Sequence, residues 1–124
     1  MLILVDTSVW IDHLRKGEAQ LEQLLIQGQV ATHPFIIGEI ACGHLNNRQN
    51  ILSYLNNLQT LKEASNQEVN YLIEKQQLMG KGIGYIDAHL LASCLISETA
   101  SLWTRDKRLH KIATSLNINF DEYH

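Results

Sequence analysis

The sequence predicts an α/β fold with a mostly parallel sheet. Three observations carry this. Short apolar runs recur along the chain, stretches whose apolar residues repeat at helical spacing lie between them, and polar, Gly or Pro turns separate the two kinds. Strands alternating with helices favour right-handed crossovers between parallel neighbours, which gives an α/β sandwich. The 124 residues form one domain, 1–124, with no room for a second ordinary core. No repeat, linker or low-complexity tract interrupts it.

The elements follow in order. Leu2-Ile3-Leu4-Val5 is a short apolar run ending at a polar turn, which suits a strand buried on both faces. Thr7 or Ser8 is placed to cap the helix that follows. Leu21, Leu24, Leu25 and Ile26 form a helical stripe closed by Gly28. Gln29-Val30-Ala31-Thr32 reads as a second strand, and Pro34 opens a helix through Phe35, Ile36, Ile40, Ala41 and Leu45. Gln49 to Leu58 is helical, with Ile51, Leu52, Leu55 and Leu58 on one face, and a third strand is expected around Leu61. Val69, Leu72, Ile73 and Gln76 start a helix that ends near Gly80-Lys81-Gly82. Asp87 to Ser97 is a strongly apolar helix using Leu90, Leu91, Cys94 and Leu95. Ser101-Leu102-Trp103 is a strand, Lys107 to Leu116 a helix, and Ile118-Asn119-Phe120 a last short strand. The terminal Asp121-Glu122-Tyr123-His124 is expected to fray.

Composition narrows the function classes. Hydrophobic residues make up 45%, too many for a disordered chain. The first five residues resemble a signal peptide but lack basic residues and meet Asp6, and no apolar run can span a bilayer. The expected compartment is the cytoplasm. Cys42 and Cys94 fall in apolar helical patterns and read as small buried hydrophobes, too few for a zinc site. The net charge of -3 argues against nonspecific nucleic-acid binding. Were four acids neutralised by metal, the balance would become +1.

Four acids need an explanation. In α/β sheets ligands bind beyond the carboxyl ends of the strands. Asp6 follows the first strand directly, and Asp106 follows Ser101–Trp103 after Thr104-Arg105. Asp87 opens an apolar helix after Gly82-Ile83-Gly84. Glu39 lies within Phe35-Ile36-Ile37-Gly38-Glu39-Ile40-Ala41-Cys42, with no basic residue within one helical turn. If buried there, it needs a positive partner. Singly, Asp6 reads as a turn or cap residue, Asp87 and Asp106 as helix-start acids, and Glu39 as a solvated helix edge. Jointly they describe an oxygen-rich site for magnesium or manganese.

At these residues the sequence resembles the PIN-domain ribonucleases, and most closely the VapC toxins of bacterial toxin–antitoxin pairs. The matching segments are Leu4-Val5-Asp6-Thr7-Ser8-Val9-Trp10-Ile11, Ile37-Gly38-Glu39-Ile40, Gly84-Tyr85-Ile86-Asp87-Ala88-His89-Leu90-Leu91-Ala92 and Leu102-Trp103-Thr104-Arg105-Asp106-Lys107-Arg108-Leu109. A lone D-T-S is unspecific; four segments in family order across essentially the whole chain are specific. The resemblance implies a three-layer α/β/α sandwich with about five parallel strands. It implies that Asp6, Glu39, Asp87 and Asp106 are the metal-binding catalytic carboxylates of an Mg2+- or Mn2+-dependent endoribonuclease. Ser8 and Thr104 would orient the first and last acids. The partner would be a VapB-like antitoxin, the toxin a homodimer, and the substrate a structured RNA, either tRNA or rRNA. The chemistry would be metal-assisted attack of water on a phosphodiester, with one or two ions.

The same residues admit other readings. His13, His33, His44, His89, His110 and His124 form no helical i, i+4 metal pair, so each reads as structural or exposed. Gly82-Ile83-Gly84 does not complete a dinucleotide fingerprint, because Asp87 replaces its last glycine. Trp10 and Trp103 read as core or rim packing, with base stacking as the alternative. Arg105, Lys107 and Arg108, beside Asp106, are the residues best placed for RNA phosphate contact; the bland reading is a solvated surface. A receiver-like phosphoacceptor domain would want paired acids at the first strand and a lysine after the last, and neither is clear here. A catalytically inactive RNA- or protein-binding module is the third reading, opposed by the intact four acids.

Overall fold

The computed structural model describes residues 1–123, and His124 lies outside the described residues. Along the chain run β1 (Leu2–Val5), α1 (Thr7–Lys16), α2 (Ala19–Ile26), β2 (Val30–Thr32), α3 (Pro34–Ala41), α4 (Arg48–Asn56), β3 (Gln59–Thr60), α5 (Asn66–Gln76), α6 (Tyr85–Ser97), β4 (Ala100–Trp103) and α7 (Lys107–Ser115). The strands pair in parallel in the order β3-β2-β1-β4, and helices flank the sheet. Among the described residues no helix is long and apolar enough to cross a membrane.

β1 is central because its apolar run can be covered on both faces: Ile3, Leu4 and Val5 are all buried. The core continues through Trp10, Leu21, Ile36, Leu55, Leu90, Leu91, Leu102, Trp103 and Leu109, drawn from helices and strands alike. α3 starts at Pro34, whose missing N–H costs nothing at a first helical position, and the ring of His33 accepts the N–H of Phe35. Gly28 takes a left-handed φ of 69° after α2, turning the chain into β2.

Four boundaries and placements differ from expectation, each for a local reason. The fifth strand contracts to one parallel bridge between Leu102 and Asn119, where Leu102 N–H donates to Ile118 O at 2.7 Å and Phe120 N–H to Leu102 O at 3.0 Å. Asp6 takes the capping position of α1, so the Thr7 and Ser8 hydroxyls are used elsewhere. Cys42 is exposed because α3 ends one residue earlier, whereas Cys94 is buried inside α6. The described residues of the tail are tied down, contrary to expectation: Glu122 bonds Arg105 and the Tyr123 N–H donates to Gln20, while His124 lies outside the described residues.

The register places the site. Val5 pairs with Trp103, so Asp6 and Thr104 leave the sheet side by side, and Asp6 N–H donates to Trp103 O at 2.9 Å. From β1 the sheet extends through β2 and β3 on one side and to β4 on the other. The carboxyl ends of β1 and β4 therefore flank a topological switch point, where open parallel sheets leave a crevice.

Candidate functional site

Asp6 is buried, and its Oδ2 accepts two hydroxyl hydrogen bonds, from Ser8 and from Thr104, each at 2.8 Å. It occupies the cap of α1 but makes no side-chain cap bond. Both hydroxyls also accept main-chain donors: Arg105 N–H reaches Ser8 Oγ at 3.1 Å, and Asp106 N–H reaches Thr104 Oγ1 at 3.1 Å. The segment after β4 is thus wired to the start of α1 through two oxygens.

Asp106 caps α7, with Oδ1 accepting the N–H groups of Arg108 and Leu109 at 2.9 and 3.0 Å. Asp87 lies in the first turn of α6, where its Oδ2 accepts Gly84 N–H at 3.1 Å. The helix-start reading therefore describes one oxygen of each. Glu39 sits on α3, its Oε1 accepting the Thr7 hydroxyl at 2.7 Å. It is exposed, on the solvated edge of its helix, so the apolar segment does not bury it. α3 turns Ile36 and Ile40 inward and leaves Gly38 and Glu39 outside.

The four acids share a pattern. Among the described residues, each has one carboxylate oxygen held by the protein and the other without a hydrogen-bond partner: Oδ1 of Asp6, Oε2 of Glu39, Oδ1 of Asp87 and Oδ2 of Asp106. They also feel one another. Burial pushes the Asp87 carboxyl above its ordinary value; the Gly84 N–H opposes this, and the charges of Asp6, Asp106 and Glu39 reinforce it. Among the described residues no three His, Cys, Asp or Glu side chains already form a metal site. The acids are grouped closely enough for Asp87 to feel the charges of the other three. Their donors are all hard oxygens, the set suited to magnesium or manganese.

The basic residues separate into two kinds. Lys107 and Arg108 are exposed at the start of α7, beside Asp106. The Arg108 side chain lies against Gly82, where a Cβ would push that flexible side chain aside and would be strained by the φ of 82°. Arg105 is different: its guanidinium is bound to Asp12, Glu18 and Glu122. A phosphate contact from Arg105 is therefore not available without breaking those bonds. Sequence reasoning did not reach this cluster, because Arg105 lies 93 positions from Asp12 and 87 from Glu18 and no spacing signals it. Trp10 and Trp103 are buried, which removes base stacking and leaves them in the core. His33 and His89 are buried too, separated by the Phe35 ring at 5.0 and 4.9 Å.

Comparison with known proteins places the family and the fold. The family model described as PIN domain matches residues 3–115. Ribonuclease VapC32 of Mycobacterium tuberculosis, in strains CDC 1551 and H37Rv, is 44% identical over 108 residues, covering 87% of each chain. Among solved structures, VapBC-1 from nontypeable Haemophilus influenzae aligns with a TM-score of 0.70 at 18% identity, covering 98% of both chains. PAE2754 from Pyrobaculum aerophilum aligns with a TM-score of 0.63 at 16% identity, over 94% of this chain and 96% of that one. At those identities the two structures speak for the fold alone.

Proposed function

This chain belongs to the PIN-domain family, and on that footing we propose that it is a divalent-metal-dependent endoribonuclease, the toxin of a type II toxin–antitoxin pair. One observation carries the reading: four carboxylates at the switch point each keep one oxygen tied to the protein and one without a partner. Asp6, Glu39, Asp87 and Asp106 would hold Mg2+ or Mn2+ through the oxygens without a partner. When bound, such ions stabilise charge on the phosphodiester oxygens and ease deprotonation of the attacking water. The 44% identity to Ribonuclease VapC32 supports RNA as the substrate.

The protein's own groups supply orientation. Ser8 and Thr104 hold Asp6 from behind, so that Oδ1 is the oxygen left for a ligand. Lys107 and Arg108 give exposed positive charge beside Asp106, suited to the RNA backbone. The family resemblance supports a structured RNA, tRNA or rRNA, and a homodimer in the cytoplasm. It also supports a VapB-like antitoxin; an arginine from that partner would find carboxylate oxygens to accept its N–H groups among the four acids.

Cleavage assays on purified protein test the reading. Activity should vanish in EDTA and return with magnesium or manganese. Products should carry 5′-phosphate and 3′-hydroxyl ends, and a single 2′-deoxy residue at the cleavage site should still permit cutting, since the attacking water comes from outside. Full activity in metal-free buffer, or cyclic phosphate ends with a resistant deoxy substrate, would refute it. Coexpression with the cognate antitoxin should suppress cleavage.

A further inference from the structure

Arg105 forms five hydrogen bonds with its guanidinium, as many as that group has N–H donors. Nε and Nη2 bond Glu122 at 3.2 and 2.8 Å, Nη1 and Nη2 bond Glu18 at 3.1 and 3.0 Å, and Nη1 bonds Asp12 at 2.6 Å. The three carboxylates come from α1, from the turn before α2 and from the C-terminal tail. Arg15 and Lys16 add ion pairs to Asp12 and Glu18 at 3.1 and 3.6 Å, so three cations face three anions. The Arg105 pairs are half-buried, bidentate and networked, the arrangement in which ion pairs hold side chains most firmly, and a saturated guanidinium cannot also clamp a phosphate. The cluster fixes a geometry, and its location says which one.

The main chain of Arg105 sits in the site. Its N–H donates to Ser8 Oγ, and Ser8 donates to Asp6 Oδ2. On either side of it, Thr104 bonds the same Asp6 oxygen and Asp106 caps α7. Ser8 and Asp12 are four residues apart on α1, hence neighbours on one helix face. Arg105 therefore holds that face twice, at Ser8 by its main chain and at Asp12 by its side chain.

We propose that Arg105 is a positioning residue of the site. By bracketing α1 at Ser8 and Asp12, it fixes the segment bearing Asp106 against the segment bearing Asp6 and aims the Ser8 hydroxyl at Asp6. A lysine would keep the charge but has no planar fork and cannot bridge three carboxylates in these directions. The catalytic consequence rests on the ribonuclease reading; the consequence for Asp6 does not.

The test uses Arg105→Lys, Ser8→Ala and their combination in the full chain, with melting curves to count folded molecules. Per folded molecule, Arg105→Lys should lower kcat by about tenfold while KM stays within about twofold. The combined variant should be no slower than Ser8→Ala alone, because both act on one link. In the metal-free protein, the carboxyl carbon signal of Asp6 should move in Arg105→Lys in the direction it moves in Ser8→Ala. Unchanged kcat, fully multiplying losses, or a raised KM with weaker salt dependence would each overturn the proposal, the last in favour of a phosphate contact. If the parent protein cleaves no RNA, the ribonuclease reading fails and the Asp6 signal decides alone: displaced, it supports positioning; unmoved, it overturns it. Should Arg105→Lys not fold, Asp12→Ala removes a single bond of the five and is held to the same outcomes.

Discussion

Thr104 donates its hydroxyl to Oδ2 of Asp6 at 2.8 Å, across 98 positions of sequence. The same oxygen of Thr104 accepts the N–H of Asp106, so one side chain joins two of the four acids.

Thr104→Val removes that hydroxyl at nearly constant shape. RNA cleavage should fall by about 10- to 100-fold. Stability should drop by about 1–3 kcal/mol, because a buried carboxylate loses a donor and a main-chain N–H loses its acceptor. Thr104→Ser should recover most of both. Cleavage rates across a manganese titration, with parallel urea melts, check this; parent-like rates in Thr104→Val would show that Asp6 does not depend on the link.

Asp87 should behave as an acid held against its preference. Its folded value lies above the ordinary 3.8, so the native protein binds this proton more tightly than the unfolded chain. Stability from this group is fully present below 3.8 and is lost as pH rises through the raised value. At neutral pH the ionised side chain is therefore a cost. Asp87→Asn should melt above the parent at pH 7 without metal, and the gain should shrink as the pH is lowered to 3.8. The same variant should lose nearly all cleavage. A melting point at or below the parent at pH 7 would contradict a carboxylate penalised by burial and by the neighbouring acids.

The two cysteines should react very differently. Burial pushes the Cys94 thiol up to about 12, whereas Cys42 is exposed. Since the thiolate is the reacting form, a disulfide reagent at pH 8 should titrate a single thiol in the native protein and both in denaturant. Two fast native thiols would mean that α6 opens readily.

Leu102 is fully buried in β4, between β1 and the bridge to Asn119. Leu102→Ala should cost about 2–5 kcal/mol. The loss should appear as a lower urea midpoint. A change under about 1 kcal/mol would mean that the site collapses around the cavity.

Local signals carried much of the molecule. A four-residue apolar run, a proline at a helix start and a glycine after a stripe are statements about backbone and burial that neighbours in sequence can make. They place β1, α3 and the end of α2. Asp6, Asp87 and Asp106 were legible for the same reason, since an acid at a strand end or helix start is a local event. The tertiary structure decided the rest, because side-chain partners are chosen in space. Glu39 was picked out for a burial it does not have; its tie is to Thr7, 32 positions away. Arg105, read as a phosphate ligand from its place beside Asp106, is taken up by three carboxylates from elsewhere in the chain. The tail, expected to fray on its composition, is held by that same guanidinium. A sequence fixes which groups a chain offers and where its backbone bends; which charge meets which depends on strand order and register, and here the pairing of Val5 with Trp103 set Asp6 beside Thr104.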